Sequence, residues 1–253
     1  MKTFLVSIVV LSSVAQVAGS IYYADFSSVA GLNFRGTAIQ TGNEIRLTPA
    51  SQFTAGAIWQ AEKKRFVAGG FDTTFQFWIP PSSNPGDGLA FVIQNDSALA
   101  LGDTGASKGY GGIPNSIAVQ FDTYVDKKIT VQTRGVLPNS PNVEYALGRL
   151  TIGSLSDGFI HTARIVYGAD ASMMEVYLDN PATSVFGTSV DLETLLDLDN
   201  GGAYVGFTAG TGEFFEEHRL LNWTFQSTGA VPEPSAMVAI GLLSLVVLKR
   251  RRI

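Results

Sequence analysis

A single carboxylate, Asp122, interrupts the alternating run Ile117-Ala118-Val119-Gln120-Phe121-Asp122-Thr123-Tyr124. Ile117, Val119 and Phe121 point to one side, and Ala118, Gln120, Asp122 and Tyr124 to the other. That is the period of two of a β-strand with distinct faces. An unpaired carboxylate in a sheet costs several kcal/mol. Asp122 is therefore either a hydrogen-bonded structural residue or a ligand to a cation held between this strand and the next loop. A second carboxylate, Asp87, stands at the mouth of another strand, after the turn-rich stretch Pro80-Pro81-Ser82-Ser83-Asn84-Pro85-Gly86.

Other chemical signals are weaker. Gly105-Ala106-Ser107-Lys108-Gly109 has the Gly-x-Ser-x-Gly form, but a nucleophile elbow needs a strand before it and a helix after it. Neither is present. His161 and His218, the only histidines, sit at strand starts, where structural roles are usual. Asp197-Leu198-Asp199-Asn200-Gly201 lacks the spacing and closing Glu of a calcium loop. Asn222-Trp223-Thr224 is a glycosylation sequon in form only, since it lies in a strand.

The elements that must position these residues are strands. Phe71 to Ile79 alternates, with Phe71, Thr73, Phe75, Phe77 and Ile79 on one face. Asp87 to Gln94 is a continuous apolar strand. Leu150–Ile152 and His161–Tyr167 follow, and the turn Gly168–Ser172 joins the latter to Met173–Asp179 as a hairpin. Val190–Leu198 is the only helix-like patch. Ala203–Ala209 and Leu220–Phe225 close the domain. About a dozen short strands with almost no helix predict a two-sheet sandwich of jelly-roll type.

The chain has 253 residues, with 27 Gly, 16 Phe and no Cys, so it holds no disulfide or thiolate-bound metal. Both ends read as addresses. Met1–Ser20 has the basic start, apolar stretch and small residues of a secretory signal peptide. Val231-Pro232-Glu233-Pro234-Ser235, the apolar run Ala236–Leu248 and Lys249-Arg250-Arg251-Arg252 form the other end. A run of thirteen residues is short for a membrane crossing, which needs about 20, and the basic tail sets that end on the cytoplasmic side. This end resembles the bacterial PEP-CTERM sorting signal. That resemblance implies recognition and removal by an exosortase-type membrane protease; the alternative is a permanent single-pass anchor. Five of the 17 basic and one of the 22 acidic residues lie in these ends, leaving 12 basic, 21 acidic and a net charge of −9. Such a surface repels nucleic acid. The expected layout is a signal peptide over 1–20, one sandwich over 21–228 and a sorting segment over 229–253.

Asn115 to Asp126 resembles the signature strand of the legume-type (L-type) lectins, roughly Asn-x-x-Val-Ala-Val-Glu-Phe-Asp-Thr-aromatic-x-Asn. Gln120 stands where the family has Glu, and Asp126 where it has Asn. Asp87-Gly88-Leu89-Ala90-Phe91, Val176–Pro181, Ser189–Leu192, Tyr204–Gly212 and His218 with Asn222–Phe225 resemble further family motifs in the same order. The resemblance implies a concanavalin-like all-β jelly-roll sandwich of antiparallel sheets and a shallow sugar pocket made by four loops. There Asp87 would accept hydrogen bonds from two sugar hydroxyls. Ser107 or Ala106 would stand where the family brings a Gly close, and Asp126 would also border the sugar. Gly212, Glu213 and Phe214 would form the specificity rim. The resemblance also implies Asp122, the Tyr124 carbonyl and Asp126 as calcium ligands. Calcium takes six to eight oxygens, so three with water make a weak site. Lys127-Lys128 follow where the family has an Asp-Pro and a His, so the transition-metal site is expected to be absent. Lys127 or Lys128 neutralising Asp122 or Asp126 is the alternative.

These features predict an exported, non-catalytic carbohydrate-binding protein of the cell surface or extracellular matrix, with a glycan or exopolysaccharide as partner. A structural matrix protein with a vestigial site is the alternative. A glycoside hydrolase of the same fold needs a pair of strand carboxylates for retention. Here the strand offers Gln120, Asp122 and Tyr124 or Val125, which is one carboxylate.

Overall fold

A computed structural model of the chain describes residues 20–66 and 69–228. Residues 1–19 of the expected signal peptide and the whole sorting segment, 229–253, lie outside the described residues. Strands β1 (Ile21–Tyr23), β2 (Leu32–Gly36), β3 (Ile39–Thr41), β4 (Glu44–Thr48), β5 (Ala55–Gln60) and β6 (Lys64–Arg65) build the first part. They lead to β7 (Phe71–Trp78), β8 (Gly88–Gln94), β9 (Ser116–Asp122), β10 (Lys128–Thr133) and β11 (Ala146–Thr151). Then come β12 (Ile160–Gly168), β13 (Met173–Leu178), β14 (Phe186–Ser189), a one-turn helix α1 (Leu192–Leu195), β15 (Gly202–Gly210) and β16 (His218–Ser227). One sheet runs β14-β13-β12-β7-β16-β4-β3, with β1 also on β16; the other runs β11-β10-β9-β8-β15-β5-β2, with β6 also on β15. Every pairing between described strands is antiparallel. The expected two-sheet antiparallel sandwich is what the chain forms.

The alternation of β7 is visible in its burial, with every second residue from Phe71 fully covered. Its buried side meets Phe91, Phe121, Phe207, Trp223 and Phe225 in the space between the sheets. The Phe75 ring lies 4.7 Å from Phe207 and 5.9 Å from Phe121, edge-on to both, the arrangement ring quadrupoles favour. The predicted hairpin is present, with Gly168 paired to Met173. The helix-like patch shrinks to a single turn, begun by Asp191, whose side chain accepts from the Glu193 and Thr194 amides.

β5, β8 and β9 are buried along their whole length. Their inner faces join the main core. Their outer faces hold a second cluster of Ala57, Trp59, Ala90, Val92 and Ala118, covered by Ala100, Tyr110 and Ile113 from the long loop after β8. Alanines at three of these outward positions let the loop lie close, and the Trp59 indole N–H donates to the Ala100 carbonyl at 2.8 Å. This loop is therefore a third layer over the sheet, and its inner surface faces Gln120 and Asp122.

The stretch after Asp126 corrects the sequence reading. Lys128–Thr133 is strand β10, where the sequence reading saw no strand and only two lysines in place of the family's Asp-Pro and His. Asp122 pairs directly with Lys128 across a tight connection. β9 stops at Asp122 because its Oδ1 accepts from the Tyr124 amide at 3.0 Å. That local bond turns the chain out of the ladder.

Candidate functional site

The mouth of β8 brings the predicted rim residues together. Asp87 is 7% exposed, and its backbone is tied on both sides, its amide donating to Gly210 O at 3.1 Å and its carbonyl accepting from the Thr123 amide at 3.1 Å. The Gly86–Asp87 peptide is cis. Gly88 follows at φ +127°, and a Cβ there would meet the Phe121 carbonyl at 2.1 Å. Only glycine lets β8 start beside β9 at this point.

The Asp87 carboxylate sits between two glycines. A Cβ on Gly212 would lie 3.1 Å from its Oδ2, and one on Gly105 would lie 3.9 Å away. Oδ2 is buried and, although the Gly212 N–H lies nearby, it has no hydrogen bond of good geometry within the chain. Burial pushes the Asp87 carboxyl above its ordinary range. The Lys108 ammonium pulls the other way, the Asp122 charge adds to the push, and the Gly212 N–H and His218 oppose it. The sequence reading placed Ala106 or Ser107 beside the acid. The structure puts Gly105 there, joined to the rim by its amide's 2.9 Å bond to Thr211 O. The Ser107 hydroxyl is turned away, over Gly111.

The outer rim is aromatic. Phe214 is 38% exposed, and its ring lies 4.9 Å from that of Tyr124, tilted by 54°. Phe53 is also exposed, with its amide donating to Gly212 O at 3.2 Å. Glu213 is exposed, and its carbonyl accepts from the Gln52 amide group at 3.1 Å. Below this rim lies a buried polar cluster. Thr123 Oγ1 donates to Glu216 Oε1, and Glu216 Oε1 is 3.4 Å from His218 Nε2. His218 Nδ1 is 2.6 Å from Thr48 Oγ1. His218 thus has the structural surroundings expected of it, as has His161, held between Asp179 and Asp157.

Asp122 is not free for a metal. Its Oδ2 accepts from Lys108 Nζ at 2.9 Å, and Lys128 Nζ approaches the same oxygen to 3.9 Å. Its Oδ1 is occupied by the Tyr124 amide. Asp126 is exposed. Among the described residues, no group of three or more His, Cys, Asp or Glu side chains converges to hold a metal ion. Asp122, Tyr124 and Asp126 therefore do not fit a bound calcium. An ammonium stands against Asp122, the only buried carboxylate of the three candidate ligands, and a divalent cation there would meet two positive side chains. At the neighbouring position the Tyr110 hydroxyl donates to Gln120 Oε1 at 3.1 Å. Sequence reasoning missed both Lys108 and Tyr110. The available signal was their spacing: they are two apart, as Gln120 and Asp122 are.

A family model described as the legume lectin domain matches residues 18–238. Agglutinin-2 of Cladrastis kentukea is 27% identical over 197 residues, which are 70% of this chain and 64% of that protein. A probable L-type lectin-domain containing receptor kinase S.7 of Arabidopsis thaliana is 28% identical over 194 residues, 64% of this chain but only 27% of the kinase. The chain thus spans less than two thirds of the length of either. The solved lectin of Bauhinia forficata, in complex with GalNAc, superimposes with a TM-score of 0.70 at 23% identity, covering 83% of this chain and 99% of that one.

Proposed function

The chain belongs to the legume lectin domain family, and from that premise we propose that it is an exported, non-catalytic carbohydrate-binding protein, sorted to the cell surface or an exopolysaccharide matrix. The observation that carries this reading is Asp87 Oδ2, a buried acceptor left without a hydrogen bond of good geometry between Gly105 and Gly212. An unsatisfied buried acceptor is costly, and a sugar hydroxyl delivered over two side-chain-free residues satisfies it. The Phe214–Tyr124 pair offers an apolar face beside it, suited to the C–H side of a pyranose. The GalNAc complex of the Bauhinia forficata lectin, a protein of this fold, is in keeping with such a ligand. Absence of catalysis is supported by the β9 carboxylate, Asp122, which is bound to Lys108 rather than free to act as nucleophile or acid. Export is supported by the sequence of the two ends, with an exosortase-type protease as the processing partner.

A glycan array probed with the full chain tests the reading. Binding to at least one saccharide class is expected, and silence on every glycan would transfer the case to a structural matrix protein. Mass spectrometry of the mature protein tests the sorting: a start near Gly19 or Ser20 and an end before Ala236 are expected. Phe214→Ala is expected to weaken saccharide affinity about tenfold, equivalent to losing roughly 1.4 kcal/mol of apolar contact. Titration calorimetry measures it, and unchanged affinity would remove Phe214 from the site.

A further inference from the structure

We infer that Lys108 is a built-in cation that holds the loop after β8 against the end of β9, doing the work of a structural metal, so that the pocket at Asp87 needs no divalent ion. The last clause rests on the carbohydrate reading; the first does not. Lys108 is buried, with its side chain 2% exposed and that of Asp122 12% exposed. A lysine so deeply covered requires a partner. It has two, Asp122 Oδ2 at 2.9 Å and Ala106 O at 3.1 Å.

The backbone is shaped to deliver this ammonium. Lys108 adopts φ +46°, an uncommon conformation for a residue with a side chain. Its Cα packs so closely on β15 that a Cβ at Gly210 would approach it to 2.8 Å. Tyr110 repeats the arrangement one step along, its hydroxyl bonded to Gln120. Lys108 with Asp122 and Tyr110 with Gln120 thus form a two-rung ladder between the loop and the outer face of β9. Each rung is complete without an added ion. Gly105, three residues before Lys108, is the loop's contribution to the Asp87 pocket. Fixing Lys108 therefore fixes that wall.

Melting curves and titration calorimetry on the full chain test this. Exhaustive EDTA treatment is expected to leave the wild-type Tm unchanged, and added calcium or manganese to give neither a Tm shift nor a saturable heat. A fall with EDTA, or a rise with either ion, would overturn the assignment. Lys108→Met removes the close ammonium from the buried Asp122, leaving it only the Tyr124 amide and the more distant Lys128, and is expected to lower Tm by about 10 °C. The neutral pair Lys108→Met with Asp122→Asn is expected to recover at least half of that loss, because the two residues act on each other. A Lys108→Met change that is silent, or a double variant that falls by the sum of the single ones, would show that Lys108 merely fills space. Where Lys108→Met does not fold, the wild-type metal titrations decide alone. Saccharide affinity is expected to be equal before and after EDTA, and a tenfold loss would overturn metal independence. A protein silent toward all glycans sinks the carbohydrate reading, while the melting data still decide the role of Lys108.

Discussion

Asp87→Asn lowers saccharide affinity by about a hundredfold or more while leaving the fold at least as stable as before. Asparagine keeps the shape and removes the charge. Hydrogen bonds to a charged group are worth roughly 1.5–3 kcal/mol each, and losing about 3 kcal/mol across two hydroxyls gives that factor. The stability half follows from burial, which makes the carboxylate the less favoured form at this position. The native state holds the Asp87 proton more tightly than the unfolded chain does. Between the unfolded carboxylate value, about 3.9, and the higher native one, this residue's contribution makes the wild type gain stability as pH falls. The same protonation removes the acceptor. Saccharide is therefore released as pH drops through the raised Asp87 value, at a higher pH than an ordinary carboxylate would give. Calorimetric titrations across an acid pH series check both halves. Retained affinity in Asp87→Asn, or release only at the ordinary carboxylate range, would rule out the role assigned to this residue.

Phe75→Ala is expected to destabilise the fold by about 3–5 kcal/mol, the usual cost of emptying a large aromatic site. Phe75 is fully buried, and the rings of Phe77, Phe91, Phe121 and Phe207 all lie within 6.5 Å of its own. It touches residues from both sheets, so the void cannot be closed by moving one strand. For a domain of this size, such a loss lowers Tm by on the order of 10 °C. Denaturant titration should show an earlier midpoint with an unchanged slope, because the surface exposed on unfolding is the same. Phe214→Ala, on the rim, should leave the midpoint where it was. A Phe75→Ala protein that melts with the wild type would mean that the inter-sheet packing does not hold the sandwich together.

Much of this was legible along the chain. The alternation from Phe71 to Trp78 announced a strand with one face in the core, and β7 has that burial. The glycine-bounded turn after Tyr167 announced the β12–β13 hairpin. Asp87, Gly212, Glu213 and Phe214 were named as neighbours from motifs more than a hundred residues apart, and the mouth of β8 joins Asp87 to the Gly212–Phe214 rim. Other parts were not legible. β10 was hidden because Lys127-Lys128 looked like charge in a loop, whereas its strand character comes from pairing with β9. Gly105 could not be distinguished from Ala106 or Ser107, since a one-residue shift in a loop leaves no periodic trace.

The sequence by itself determined a disulfide-free two-sheet β-sandwich with an acidic exterior, because these follow from composition and from periods set by the covalent geometry of a strand; Asp87 entered as the candidate acid through the resemblance to the lectins. The tertiary structure alone decided what stands opposite Asp122. Lys108 and Asp122 meet only once the loop after β8 lies down on the outer face of the sheet. That contact depends on the alanines beneath the loop and on Gly210 of β15; the matching two-residue spacings of Lys108/Tyr110 and Gln120/Asp122 fit the contact once it forms but do not show that the loop lies there.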